Sequence, residues 1–318
     1  MTRVPESLSQ LRQGGKAALS RAISAVETQA DSDALTRFLD LATREGRAQV
    51  LGLTGPPGVG KSTLTNALIR AYRTRGETVG VIAVDPSSQV TGGALLGDRT
   101  RLSTDPGDPG IFVRSMAARD RLGGLSDHAI AAVVLMRAVM DRVIVESVGI
   151  GQSESDVVHA VDTLVLCIQP GSGDSLQFMK AGVMELPDLV AVTKADMGAL
   201  ARRAQADVAG ALSLARPVDS DRVPEVLTVS ATSGEGLDGL VRACDAFGLQ
   251  AQGSGRLAAR RTMQERHWVD DAIRRRFGSV GHGACDIPAA LAEAGGPFSA
   301  IAALDRVLRE RLRLIETR

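Results

Sequence analysis

Between about residues 48 and 248 the chain alternates short apolar runs with stretches of helical periodicity. The runs fall at 48–53, 79–84, 111–114, 142–146, 163–169, 188–193 and 225–230, many of them rich in Val, Ile and Leu. Strands that are apolar throughout are buried on both faces, so this pattern predicts a mostly parallel sheet with helices on either side. Residues 6–46 carry apolar positions at helical spacing: Leu8, Leu11, Leu19, Ile23 and Val26, then Leu35, Phe38, Leu39 and Ala42. Asp31-Ser32-Asp33 is expected to break that stretch into two helices. Ala251-Gln252-Gly253-Ser254-Gly255 reads as a short linker. Beyond it, 256–278 is a charged helical pattern holding the one tryptophan, Trp268, followed by a glycine-containing turn from Gly278 to Gly283. The stretch from Pro297 to Leu314 is an amphipathic helix. The expected organisation is therefore 1–46, a helical extension; 47–250, an α/β domain; and 251–318, a C-terminal helical segment.

The first apolar run, Val50-Leu51-Gly52-Leu53, leads into Gly55-Pro56-Pro57-Gly58-Val59-Gly60-Lys61-Ser62-Thr63 and then into a helical pattern. Strand, glycine loop and helix start form the context of a G-x-x-x-x-G-K-[ST] phosphate loop, and they make the α/β domain a P-loop NTPase. The glycines let backbone N–H groups surround phosphate oxygens, and the helix N-terminus adds partial positive charge. Gly58, Val59, Gly60 and Thr63 are thus expected to line the phosphates. Lys61 is placed to reach the β- and γ-phosphates, and the Ser62 hydroxyl to bind Mg²⁺.

Further polar residues stand at the ends of other strands, where ligands of parallel sheets collect. Asp85 ends the second run, level with the phosphate loop, and can hold a water of the Mg²⁺ shell. Asp98, in the glycine-containing loop Thr91–Thr100, is a second candidate for the metal or for positioning water. Glu146 ends Arg142-Val143-Ile144-Val145 where a P-loop enzyme needs an acid beside its metal. Ile150, after Gly149, has no group to orient water, so hydrolysis is expected to be slow without help from Gln152, Lys180 or a partner protein. Thr193-Lys194-Ala195-Asp196 follows the sixth run. A carboxylate there accepts from guanine N1–H and the 2-amino group, for which adenine has no match. Ser230-Ala231-Thr232 supplies a second base loop, so the expected nucleotide is GTP or GDP.

Composition narrows the remaining choices. Lys+Arg and Asp+Glu are 37 each, so no net charge argues for nucleic acid or an anionic membrane as partner. No run of about 18 apolar residues exists and the start lacks a signal-like core, which makes the cytoplasm the expected compartment. The basic residues comprise 33 Arg and only four Lys, at 16, 61, 180 and 194. Where arginine has displaced lysine almost everywhere, a retained lysine marks a site needing a compact ammonium, which draws attention to Lys180 and Lys194. Cys167, Cys244 and Cys285 are odd in number and far apart, suggesting neither disulfides nor a metal cluster.

Taken together, the phosphate loop, Asp85-Pro86-Ser87-Ser88, Thr91-Gly92-Gly93, Leu96-Gly97-Asp98-Arg99-Thr100-Arg101, Glu146-Ser147-Val148-Gly149-Ile150-Gly151-Gln152-Ser153-Glu154 and Gly171-Ser172-Gly173-Asp174 resemble the MeaB-type G-protein chaperones of methylmalonyl-CoA mutase, also called ArgK-type GTPases. The resemblance covers roughly residues 1–278. It implies a homodimer joined by the C-terminal helices and a client that is an adenosylcobalamin-dependent acyl-CoA mutase, with cofactor loading gated and the mutase protected or reactivated. By the same resemblance Ser62, Asp85, Asp98 and Glu146 surround Mg²⁺, and Lys180 falls in a third switch loop. Thr193 departs from the family's more usual asparagine. No D-x-H-x-x-G corrinoid motif is present, so adenosylcobalamin is expected on the client. Two other classes compete: a nickel-delivery GTPase, which favours a Cys/His-rich tract that the scattered His128, His159, His267 and His282 do not form, and a transport-coupled ATPase or kinase, against which Asp196 argues.

Overall fold

A computed structural model of the chain describes residues 5–29, 32–85, 102, 104–117, 125–147, 154–171, 186–214 and 223–316. It contains seven strands: β1 (Gln49–Thr54), β2 (Val79–Asp85), β3 (Ile111–Ala117), β4 (Arg142–Glu146), β5 (Thr163–Ile168), β6 (Leu189–Val192) and β7 (Glu225–Thr228). They form one sheet in the order β3-β2-β4-β1-β5-β6-β7, and every described pairing is parallel. All seven expected strands are present, within a few residues at their ends. The chain separates into two compact units, residues 1–48, 127–139 and 258–318 in one and residues 49–126 and 140–257 in the other. The first unit thus joins material from both expected terminal segments and adds an internal helix.

In the sheet unit the period-two alternation of strands divides the core. Leu51, Leu53, Val81, Ala83, Ile144, Val165 and Cys167 point to one face, where they meet Leu64, Leu68, Ile69 and Tyr72 of α4 (Lys61–Thr74) and Leu240, Val241 and Cys244 of α8 (Leu237–Gly253). Leu166, Ile168 and Val190 point the other way and pack on Val208 and Leu212 of α7 (Ala199–Leu214). Gly52 has no side chain because a Cβ there would meet Val161, Leu164 and Val157, the last in the short α6 (Glu154–Val157). The consecutive strands β4 and β5 lie on either side of β1, so the strand order reverses beside β1. Crevices for ligands open at such a point, outside the carboxyl ends of the strands.

The other unit is helical: α1 (Leu8–Gln13), α2 (Gly15–Thr28), α3 (Asp33–Arg44), α5 (Asp127–Val139), α9 (Arg256–Gly283), α10 (Ile287–Ala294) and α11 (Pro297–Glu316). From Ala129 to Ala138 every residue of α5 is buried, Arg137 included. Its last carbonyls are satisfied by arginine: Arg12 donates to Ala138 O at 2.9 Å and Arg47 to Val139 O at 3.0 Å, while Arg137 itself donates to Thr43 O at 3.0 Å. Val269, Ile273, Ile287, Ala300 and Leu308 form an apolar cluster of this unit, and Trp268 packs on Phe298 with ring centroids 6.3 Å apart.

Three boundaries differ from expectation. The N-terminal stretch holds three described helices, because Gly15 (φ +55°) breaks it after Gln13 as well as at the Ser32 cap. Helix α8 continues through Ala251, Gln252 and Gly253, and the chain turns at Ser254-Gly255, where Gly255 takes φ +75°. The expected turn after Gly278 is a kink at that residue (φ +68°), with helix resuming to Gly283. Among the described residues no single helix is long and apolar enough to cross a membrane; Ile287–Ala294 and Pro297–Leu312 reach that composition only when taken together across a 119° bend.

Candidate nucleotide site

The phosphate loop follows β1 and begins at Gly55, whose φ of +134° and close approach to β5 both require glycine: a Cβ would stand 2.2 Å from Cys167 O. The loop ends at Gly60, which takes φ +96° as the N-cap of α4 without a side-chain cap. The first N–H groups of α4 therefore face the loop, the arrangement that receives an anion. Lys61, the first residue of the helix, is 7% exposed. Its ammonium donates to Gly55 O at 2.7 Å and to Pro56 O at 3.1 Å, inside the curve of the loop. Gly58 and Thr63 are exposed, Ser62 half-buried and Val59 buried.

Glu146 closes β4, the neighbour of β1, and its carboxylate lies under the head of α4. Ser62 Oγ donates to Oε1 at 2.5 Å and Thr65 Oγ1 to Oε2 at 2.8 Å. Beyond it, Ser147 Oγ donates to Thr54 Oγ1 at 3.0 Å, joining the exit of β4 to the entrance of the phosphate loop. The Ser62 hydroxyl and a Glu146 oxygen are hard donors side by side, which suits Mg²⁺: that ion takes one or two protein oxygens and completes its octahedron with water and phosphate. Among the described residues no group of three or more His, Cys, Asp or Glu side chains is arranged to hold a metal alone. Asp85 is described as the last backbone position of β2, at the same edge of the sheet. Asp98, Gln152 and Lys180 lie outside the described residues.

The two loops expected to hold the base stand at the ends of β6 and β7. Thr193 is buried, and its hydroxyl donates to Val59 O at 2.7 Å and to Ile168 O at 3.1 Å. The shorter side chain in place of asparagine therefore still reaches the phosphate loop. Lys194 adopts φ +56°, a left-handed conformation that costs a non-glycine residue on the order of 1–2 kcal/mol. It is exposed, and its ammonium donates to Gln169 Oε1 at 2.6 Å. Asp196 is exposed in a single 3-10 turn, Ala195–Met197. That turn is tied to the second base loop by Ala195 N–H donating to Val229 O at 3.2 Å. Ser230 is buried, Ala231 half-buried and Thr232 exposed; Ser230 Oγ accepts from Ser233 N–H at 3.2 Å. Gly236 cannot carry a side chain, since a Cβ would lie 2.0 Å from Thr228 O.

The structure thus brings the phosphate loop, Ser62, Glu146, Thr193 and both base loops to one edge of one sheet. Sequence reasoning missed Thr65 and Gln169. Thr65 lies three residues after Ser62 on the same helix face, and that spacing was the available signal. Beneath the site, Cys167 is fully buried, and burial pushes its thiol up to about 12 against the pull of the Lys61 charge.

A family profile described as Methylmalonyl Co-A mutase-associated GTPase MeaB matches residues 19–281 of the chain. A putative GTPase of Pyrococcus horikoshii is 40% identical over 269 residues, which is 82% of this chain and 83% of that protein. The mouse protein named methylmalonic aciduria type A homolog, mitochondrial, is 39% identical over 226 residues; these are 70% of this chain and 54% of the mouse protein, so the match spans just over half of that relative. A crystal structure of an LAO/AO transport system kinase superposes with a TM-score of 0.69 at 28% identity, covering 96% of this chain and 97% of that one.

Proposed function

The chain belongs to the methylmalonyl-CoA mutase-associated GTPase MeaB family, and from that premise we propose that it is a Mg²⁺-dependent GTP hydrolase serving as chaperone to an adenosylcobalamin-dependent acyl-CoA mutase. In this reading it gates loading of the cofactor and protects or reactivates the mutase, and it acts as a homodimer. The observation that carries the nucleotide part is the Glu146 carboxylate held 2.5 Å from the Ser62 hydroxyl at the head of the phosphate-loop helix. Family membership supports the mutase as client.

Within this scheme the N–H groups at the start of α4 and the Lys61 ammonium bind the phosphate oxygens. Ser62 and Glu146 would hold Mg²⁺, which when bound offsets charge on the β- and γ-phosphates. Thr193 keeps the phosphate loop in register with the base loop, and Asp196 selects guanine. With isoleucine at position 150, no side chain there orients the attacking water, so hydrolysis is slow until a partner completes the site. Coupling to the client runs through residues that include Lys180.

Calorimetry with GDP and ADP, each with Mg²⁺ and with EDTA, tests the nucleotide assignment: GDP is expected to bind at least tenfold tighter than ADP. Asp196→Asn is expected to move preference toward xanthine nucleotide, and unchanged guanine affinity would remove Asp196 from the base site. Purified adenosylcobalamin-dependent acyl-CoA mutases, apo and loaded, test the partner by pull-down in GDP and in a non-hydrolysable GTP analogue. Capture of none, in either state, would refute the chaperone assignment while leaving the nucleotide site standing.

A further inference from the structure

Thr65 lies at the centre of a contact that the proposed mechanism does not use. It is completely buried on α4, one turn beyond Ser62, and its hydroxyl proton goes to Glu146 Oε2 at 2.8 Å. A threonine inside a helix commonly directs that proton to the carbonyl four residues back. Here it is directed across to β4 instead. The β-branched side chain also lowers helix propensity slightly relative to Ala or Leu, so its presence at this position is not explained by helix formation.

The two hydroxyls on Glu146 are not equivalent. Ser62 is half-buried on the phosphate side and holds Oε1, whereas Thr65 is inaccessible to solvent and holds Oε2. Glu146 as a whole is 7% exposed, and a buried carboxylate needs its oxygens paired. Thr65 and its helix neighbours Leu64 and Leu68 are all fully buried, so solvent does not reach the Thr65 hydroxyl to stand in for it. We propose that Thr65 is a positioning residue for the cation: by fixing Oε2 from behind, it sets the Glu146 rotamer so that Oε1 and the Ser62 hydroxyl face the same point. Groups that orient a metal ligand from outside the coordination sphere typically alter metal affinity about 10–100-fold when removed. This inference rests on the reading of the site as a Mg²⁺-nucleotide site.

The test is the ratio of GDP affinity in saturating Mg²⁺ to that in EDTA, measured by calorimetry on the full chain. The ratio cancels any general loss of packing, which moves both affinities together. In Thr65→Val, which keeps the shape and removes the donor, the Mg²⁺ enhancement is expected to fall about tenfold. Thr65→Ser, which keeps the donor, is expected to retain most of it. If the valine variant does not fold, Thr65→Ala is read in the same assay with the same expected direction. Full enhancement in Thr65→Val or Thr65→Ala, or equal loss in Thr65→Ser, overturns the role of Thr65. An unsubstituted chain whose GDP affinity ignores Mg²⁺ overturns the metal reading itself, and the inference with it.

Discussion

Replacing Thr193 by valine removes one hydroxyl and almost no volume, so the consequences follow from hydrogen bonding alone. The hydroxyl serves two carbonyls, Val59 O at 2.7 Å and Ile168 O at 3.1 Å. Ile168 O also accepts the Thr193 N–H at 2.7 Å and keeps that bond in the variant. The loss therefore falls on Val59 O, a carbonyl of the phosphate loop whose residue is 1% exposed. Leaving a buried carbonyl short of a donor costs about 1–3 kcal/mol. At about 2–4 °C per kcal/mol for a domain of this size, Thr193→Val should melt about 2–12 °C lower. The same contact holds the phosphate loop against the strand that presents Asp196, so GDP affinity should fall by about three- to tenfold, tenfold being about 1.4 kcal/mol. Thr193→Ser separates the two effects. It loses a buried methyl, worth about 0.8 kcal/mol, yet keeps the donor. Its melting point should drop modestly while GDP binds as before. Thermal unfolding and calorimetry on the same three proteins decide the matter. If Thr193→Val binds GDP as tightly as the unsubstituted chain, the hydroxyl does not couple the loops.

Two further outcomes follow from groups away from the nucleotide. Cys167 and Cys244 are buried with thiols pushed up to about 12 chiefly by burial, whereas Cys285 is only partly covered. A disulfide reagent at pH 8 should therefore take one thiol rapidly in the native chain and two more after denaturation; three rapid equivalents would contradict the burial. Asp40 accepts the first N–H groups of α11, Phe298 at 2.9 Å and Ser299 at 3.0 Å, and burial holds its carboxyl above the ordinary value near 3.8 despite those bonds. Between the ordinary and the raised value the folded chain binds more protons than the unfolded one, so stability falls as pH rises through that window. Asp40→Asn removes this slope at the cost of one of the two caps. Urea unfolding at pH 4.5, 5.5 and 7 should show the advantage of the unsubstituted chain over the variant shrinking as pH rises, and a widening advantage would reverse the assignment.

The strands were legible because burial on both faces removes the polar alternation that would otherwise disguise them, and the phosphate loop because its glycines answer steric demands that no other residue meets. Gly55 against Cys167 O is the clearest case. Helix ends were less legible. Periodicity continues from Phe247 to the buried Ala251, so α8 runs on through residues whose composition suggests a linker, until Gly255 supplies the left-handed turn. The kink at Gly278 and the break at Gly15 are of the same kind, set by one backbone angle that apolar spacing does not report.

What the chain does not announce is which strands become neighbours. Glu146 follows Ser62 by 84 residues and meets it because β4 pairs with β1, while β2, the next strand after the loop helix, lies one place further out. That pairing also brings Thr65 under the carboxylate, while β5 and β6 on the other side of β1 carry Thr193 to Val59 across 134 residues. The bonds that these hydroxyls make cannot be read until the strand order is known. The order then places all three at the carboxyl edge of one sheet, where Ser62 and Thr65 meet Glu146 and Thr193 meets Val59 and Ile168. The residue types that advertise chemistry, a lysine after glycines or an acid after a strand, mark the ligands. The hydroxyls that hold those ligands in place are specified by topology, and Thr65 and Thr193 are therefore where substitutions of nearly unchanged shape should expose how the site is built.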